Sequence, residues 1–214
     1  MDVRDRLPIM PDFLLPGTFD RHLEVIQTDI QAAAATRGFT SLMPAHISRR
    51  LINNCFPDIM AEHPFITLPS FFGLLDAQYA VSATDPSDDP ARWAVVNAIV
   101  ALAIRFKTAA GSEDYISPIA QSFYLNATRV VHQLILLTPS MLSIQALLAM
   151  AVFARGIPST PAFIMLVTNA SCQLEMLDRE ESHLKSMSSF DECVQFQQMH
   201  QVVKKLSEEV KLML

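Results

Sequence analysis

Apolar residues recur at helical spacing through most of the chain, and no stretch of useful length alternates as a strand would. Four points carry one device, a side chain able to cap a helix followed at once by proline: Asp89-Pro90, Ser117-Pro118, Thr138-Pro139 and Thr160-Pro161. The Asp, Ser or Thr oxygen accepts from an orphaned N–H of the first turn. Proline has no N–H to orphan, and its fixed φ already suits the helix. Each pair precedes a long apolar-periodic segment, so the four read as starts of antiparallel helices with short connections. The pattern predicts helices over 19–37, 44–56, 69–84, 90–110, 117–137, 139–155, 160–178 and 190–213: an all-α, irregular multi-helix bundle of about eight helices. Gly38, Gly111 and Gly156 stand where a glycine closes a helix. Ser189 and Glu192 form a capping box for the last helix. Residues 1–18 read as an extended lead-in, 19–180 as the helical body and 181–214 as a divergent C-terminal amphipathic helix, with Thr84–Asp89 a polar loop.

The run from Trp93 to Ile104 is apolar nearly all round, and a helix without a polar face must be enclosed by its neighbours. The four helices between 90 and 178 are therefore expected at the centre, with 19–37 and 190–213 outside. Along the last helix Phe196, Met199, Val203, Leu206, Val210 and Met213 follow 3-4-3-4-3 spacing, with Lys204–Glu208 and Lys205–Glu209 as i,i+4 pairs. This stripe suits either the chain's own core or a short seam for self-association. Val130 to Ala154 carries no formal charge, but His132, Gln133, Ser140, Ser143 and Gln145 interrupt it and Thr138-Pro139 divides it. Two buried helices fit it better than a membrane span.

Composition narrows the picture. The 214 residues include 16 Lys+Arg against 22 Asp+Glu, a formal net charge of −6, and the densest basic spots are the pairs Arg49-Arg50 and Lys204-Lys205. Direct nucleic-acid binding is not expected, because neutralising phosphates takes a concentrated basic face. Only 5 Gly beside 11 Met and 13 Phe agrees with helix-on-helix packing. Cys55, Cys172 and Cys193 are far apart with no CxxC pair, which points to buried thiols in a reducing compartment. The charged N-terminus lacks an apolar signal region, so an intracellular protein of the nucleus or cytoplasm is expected.

No phosphate loop, HExxH, GxSxG or EF-hand pattern occurs, and the six histidines show no i,i+4 pair, so no catalytic residue, cofactor or metal is predicted. The candidate chemistry is polar. Asn126, Arg129 and His132, at i, i+3 and i+6, share a helical face and could converge on a ligand or knit helices together. Asn97 and Gln145 lie inside apolar helices, where an amide left unpaired costs about 1–3 kcal/mol, so each needs a partner or lines a pocket. Trp93 completes the candidate pocket of Trp93, Asn97, Asn126, Arg129, His132 and Gln145. Arg105 is placed to snorkel or to cap a helix-end carbonyl. Asn126-Ala127-Thr128 and Asn169-Ala170-Ser171 match the glycosylation sequon but fall inside predicted helices.

The stretch Asp89-Pro90-Ala91-Arg92-Trp93-Ala94-Val95-Val96-Asn97-Ala98-Ile99-Val100-Ala101-Leu102-Ala103 resembles a signature of the fungal-specific transcription factor domain, the helical regulatory region of zinc-cluster regulators. Further segments resemble it in the same order: Leu51–Phe56 leading to His63-Pro64-Phe65-Ile66 and Pro69-Ser70-Phe71; Tyr124-Leu125-Asn126-Ala127; Ser143-Ile144-Gln145-Ala146-Leu147-Leu148; and Ala170–Arg179. The resemblance covers about residues 40–180. Three cysteines cannot form the family's six-cysteine zinc cluster, and the arginine-rich helix expected after residue 180 is replaced by Ser182–Ser189 and a glutamine-rich helix. The resemblance therefore implies the front half of a regulatory domain without its DNA-binding module. It would act in transcription, with a secondary-metabolite pathway as one setting, through protein contacts with a full-length regulator or through a small apolar ligand. The alternatives are a helical scaffold recruited as a cyclase- or isomerase-type enzyme, and a truncated paralogue without independent function.

Overall fold

The helix that carries Trp93 is enclosed along most of its length. In the computed structural model, which describes residues 38–107, 113–157, 160–183 and 190–213, it runs from Pro90 to Lys107, and every side chain from Trp93 to Ile104 is buried. In chain order the helices are α1 (Ala45–Glu62), α2 (Leu68–Val81), α3 (Pro90–Lys107), α4 (Glu113–Thr128), α5 (Val131–Leu136), α6 (Met141–Arg155), α7 (Thr160–His183) and α8 (Phe190–Met213). All regular structure among the described residues is helical, so the fold is the expected all-α, irregular bundle. The predicted helix 19–37, the lead-in, Gly111 and the Ser189–Glu192 capping box lie outside what is described.

The centre is two helices and not four. α6 is enclosed from Ser143 to Ala154, as α3 is, and the two pack side by side. α4 instead buries one face, Ala120, Phe123, Tyr124 and Ala127, and leaves Ile119 and Leu125 about half exposed. α7 likewise turns Phe163, Leu166, Val167, Ala170 and Leu174 inward and Met165 and Met176 outward. Both cover the central pair from outside, so they need only one apolar face each. α4 packs chiefly on α3 and α7 on α6, while α1 and α2 close the remaining side of α3. Tyr124 stacks on Phe153 of α6 at 4.4 Å between ring centroids, and burial there pushes its hydroxyl up to about 12.

The cap–proline device marks some starts and misplaces others. Asp89 works as read: its Oδ1 accepts from the Arg92 N–H at 2.8 Å, with Pro90 opening α3. α7 begins at Thr160 with Pro161 in its first turn. Thr138-Pro139 lies outside α6, because Ser140 is the better cap: its hydroxyl accepts from Ser143 N–H at 3.0 Å and Ser143 Oγ accepts from Ser140 N–H at 2.9 Å. Ser117-Pro118 falls inside α4, and Pro57 inside α1, which continues to Glu62 instead of ending at 56. Burial carries α1 across the proline, since Ile52, Cys55, Phe56 and Ile59 form one buried face. The predicted helix 117–137 is broken at Arg129-Val130, where the chain turns to start α5.

Gly156 closes α6 for a reason other than backbone freedom. Its φ is −94°, not left-handed. A Cβ there would lie within 2.0 Å of the Arg105 guanidinium, which crosses from α3 and donates to the carbonyls of Phe153 (2.9 Å) and Gly156 (2.7 Å). Arg105 thus caps the end of a neighbouring helix. α8 spends its apolar stripe internally: Met199, Val202, Val203, Leu206 and Val210 are buried, with α7 and α6 as neighbours. The stripe is therefore not free to serve as a seam between copies. Its charges also cross helices, Lys205 reaching Glu62 and Glu209 reaching Arg155, in place of the expected Lys205–Glu209 pair. No helix among the described residues is long and apolar enough to cross a membrane.

Candidate functional site

Five of the six predicted residues gather around the chain entry at Phe39-Thr40. Asn97, on α3 and fully buried, donates from Nδ2 to the Trp93 carbonyl at 2.9 Å and accepts at Oδ1 from Asn126 Nδ2 at 2.8 Å. Asn126, on α4, also donates to the Thr40 carbonyl (2.7 Å) and accepts from the Thr40 N–H (2.9 Å). Phe39 meets the Trp93 ring edge-on at 5.5 Å between centroids, and the Arg129 guanidinium lies 5.7 Å from the Phe39 ring. His132 joins them through a hydrogen bond to the Arg129 backbone, with burial lowering its pKa. Trp93 Nε1 and His132 Nε2 are buried without partners. The two asparagines are satisfied by protein, and the cluster acts as a knot between α3, α4 and the chain entering α1.

Gln145 stands apart, and it is the predicted residue that lines open space. A cleft of about 560 Å³ opens between the start of α2, the first turns of α6 and the first turns of α8. Ile66 and Leu74 form one wall, Met141 and Leu142 a second, and Phe196 the third. Gln145 donates from Nε2 to the Phe65 carbonyl at 3.1 Å, which fixes its amide at the rim. Ser70 is engaged with Thr67, whose hydroxyl lies 2.8 Å from its own. Gln195 differs: its Nε2 is buried at the cleft with no partner. The exposed thiol of Cys193 stands beside it. Gln145 was conspicuous in the sequence and Gln195 was not, while of the three thiols expected to be buried only Cys55 is, Cys172 and Cys193 being exposed. Gln195 sits in a glutamine-rich helix, where one more glutamine beside Gln197, Gln198 and Gln201 is not conspicuous.

A second cleft, about 300 Å³, lies where α1, α3 and α6 end, lined by Ile59, His63, Leu102, Arg105 and Arg155 among others. Beside it Glu62 binds Arg155 at 2.9 Å and Lys205 at 3.2 Å, and Arg155 also holds Glu209 at 3.2 Å. The hydrogen bond from Arg155 and then that from Lys205 hold the Glu62 carboxyl down at about 2. His63 is 1% exposed, and neither ring nitrogen has a hydrogen-bond partner; its Nε2 is 3.7 Å from Glu62, too long for a bond. Burial first, and the nearby Arg155 charge second, push its pKa down. Glu62, His63 and Glu209 bring ligand-type atoms within 4.8 Å of one another. Both carboxylates are already neutralised by Arg155 and Lys205, so a metal ion would have to displace two cations. The group reads as a cross-helix ion network.

The segments that resemble one another's neighbours in the transcription-factor signature are the segments these bonds tie together. The chain is 29% identical over 137 residues to an ABC-transporter-regulating transcription factor of Aspergillus oryzae, and equally so to one of Aspergillus fumigatus. It is 28% identical over 136 residues to the Fusaridione A cluster transcription factor fsdR of Fusarium heterosporum. Each alignment covers 64% of this chain. Over this stretch the chain is similar to fungal transcription factors. It spans 15% of each Aspergillus protein and 25% of the Fusarium one. No family model and no solved structure matches it. Its three cysteines are too few for a six-cysteine zinc cluster within these 214 residues.

Proposed function

We propose that this transcription-factor-type domain works in transcriptional control by taking up a small apolar molecule in the α2–α6–α8 cleft and by contacting a protein partner, a full-length zinc-cluster regulator. The nucleus is its site of action, and a secondary-metabolite pathway the process it serves. The alignment of 137 residues with regulators supports this reading most directly. The Fusarium relative is named for a fusaridione A cluster, which supports the metabolic setting. The cleft supplies what a ligand-responsive domain needs: apolar walls from three helices, one of them packed at the edge of the core. The same cleft opens to solvent, which speaks against the alternative of an enzyme that works by enclosing a substrate from water.

The test fuses the 214 residues to a heterologous DNA-binding module and reads a reporter with and without extracts of apolar fungal metabolites. Reporter output that depends on the extract, together with recovery of a full-length zinc-cluster regulator on the tagged chain, is the expected result. A chain that stays monomeric, stays out of the nucleus and leaves the reporter unmoved would overturn the reading.

A further inference from the structure

We infer that the cleft where α1, α3 and α6 end is a second ligand site, for small carboxylic acids with an apolar body, and that the guanidinium of Arg105 holds the carboxylate. The site is separate from the α2–α6–α8 cleft and stands whether or not that one takes a ligand. Its space, about 300 Å³, is at the lower end of what small-molecule sites enclose. Ile59 from α1, Leu102 and Phe106 from α3 and Val152 from α6 give it an apolar lining. Phe106 is half exposed, so the apolar part of a ligand gains most by covering that ring.

The charges at the lining are unequally answered, and that decides the chemistry. Glu62 is held by Arg155 and Lys205, and Arg155 by Glu62 and Glu209. Asp58 shares the surroundings of Cys55 with Lys107. Arg105 is left over. Among the described residues no carboxylate stands at ion-pair distance from it, and the charge that bears on it is the like one of Arg155, which together with burial lowers its pKa. A guanidinium carries five N–H donors, and Arg105 has spent two, on the carbonyls of Phe153 and Gly156. These two bonds fix the planar group against the end of α6, so an arriving carboxylate meets a fork already in place. The side chain is only half-buried, so a ligand can reach it, unlike the ring nitrogens of His63. A carboxylate supplies the missing counter-charge and offsets the repulsion from Arg155; a neutral molecule of the same shape does neither.

The experiment titrates the full chain with 4-phenylbutyrate or with 4-phenylbutan-1-ol, which share a skeleton and differ in carboxylate against hydroxyl. Binding is read by NMR from backbone amide shifts: Phe106 and Gly156 report this cleft, Leu142 and Phe196 the other. The acid is expected to move Phe106 and Gly156 with a Kd roughly tenfold below that of the alcohol, the effect of one charge-assisted hydrogen bond. Raising sodium chloride from about 20 mM to about 500 mM is expected to remove much of that preference, because the guanidinium is half-exposed. In Arg105→Met, confirmed folded by its thermal transition, the two compounds are expected to bind alike. Equal affinity in the natural chain, a preference indifferent to salt, or one that survives Arg105→Met overturns the role of Arg105. Shifts from the acid that are confined to Leu142 and Phe196, or absent from both clefts, overturn the site itself.

Discussion

Asn126 shows what a single buried amide does in this molecule. All its hydrogen-bonding capacity is directed at protein: both Nδ2 hydrogens to Thr40 and Asn97, and Oδ1 to the Thr40 N–H. Asn126→Ala leaves two backbone groups and the Asn97 oxygen without a partner at once, and the site is fully buried. One stranded polar group costs about 1–3 kcal/mol, and Thr40, only half-buried, recovers some water. A loss of about 3 kcal/mol is expected, read as a lower urea midpoint at unchanged slope. Asn169→Ala is the control: among the described residues its amide bonds the Met165 carbonyl of its own helix at an exposed position, and a change within about 0.5 kcal/mol is expected. The need of Asn97 and Gln145 for partners was legible in the sequence, because an amide inside an apolar helix is conspicuous. The partners were not, since Thr40 and Phe65 contribute backbone atoms and any residue offers those.

At the scale of elements, the helix ends show where local signals stop governing. Asp89 and Thr160 start helices as spacing predicts, but Pro57 and Pro118 lie inside helices, Pro57 in one whose buried face includes Ile52, Cys55, Phe56 and Ile59. The end of α6 is decided by a residue from another helix. Gly156→Ala would place a methyl where the Arg105 guanidinium lies, expelling it and freeing the Phe153 and Gly156 carbonyls. Since only the far end of a flexible side chain must move, the expected loss is about 1–2 kcal/mol. Arg105→Met should cost a similar amount, and the double variant little more than either, because both break one interaction; thermal unfolding of the three variants checks this. The ion network that ties α8 to α1 and α6 is half-exposed, so Arg155→Met should cost only about 1 kcal/mol. Its clearer signature is the Glu62 carboxyl, which should rise from about 2 towards 4.5 in an NMR titration.

For the whole molecule, the segments that resemble the transcription-factor signature prove to be its fastenings. Asn97 binds Asn126, Gln145 binds the Phe65 carbonyl, and the Ser143 hydroxyl meets Gln173 at 2.9 Å, each bond joining two such segments. The sequence thus made the scaffold legible, while the α2–α6–α8 cleft depends on α8, whose stretch lies beyond the resemblance. Acid stability follows from groups the pattern did not mark. His63 faces Glu62 and Glu209 but also Arg155 and Lys205, and its pKa is lowered, as is that of His132. A histidine lowered in the folded state binds protons more readily once unfolded. Its contribution is whole above the unfolded value of about 6.5 and is lost as pH falls through and below it. Glu62, lowered to about 2, contributes fully above its ordinary 4.5 and loses that contribution between 4.5 and 2. Acidification should therefore weaken the fold in two stages, the first from the histidines and the second from the carboxylate. His63→Phe fills the same buried space with no nitrogen to strand, so it should be at least as stable as the natural chain at pH 7.5. Thermal unfolding at pH 7.5 and pH 5.5 decides the matter: the variant should lose less on acidification than the natural chain does. An equal loss would place the first stage on His132 or elsewhere, and take His63 out of the account.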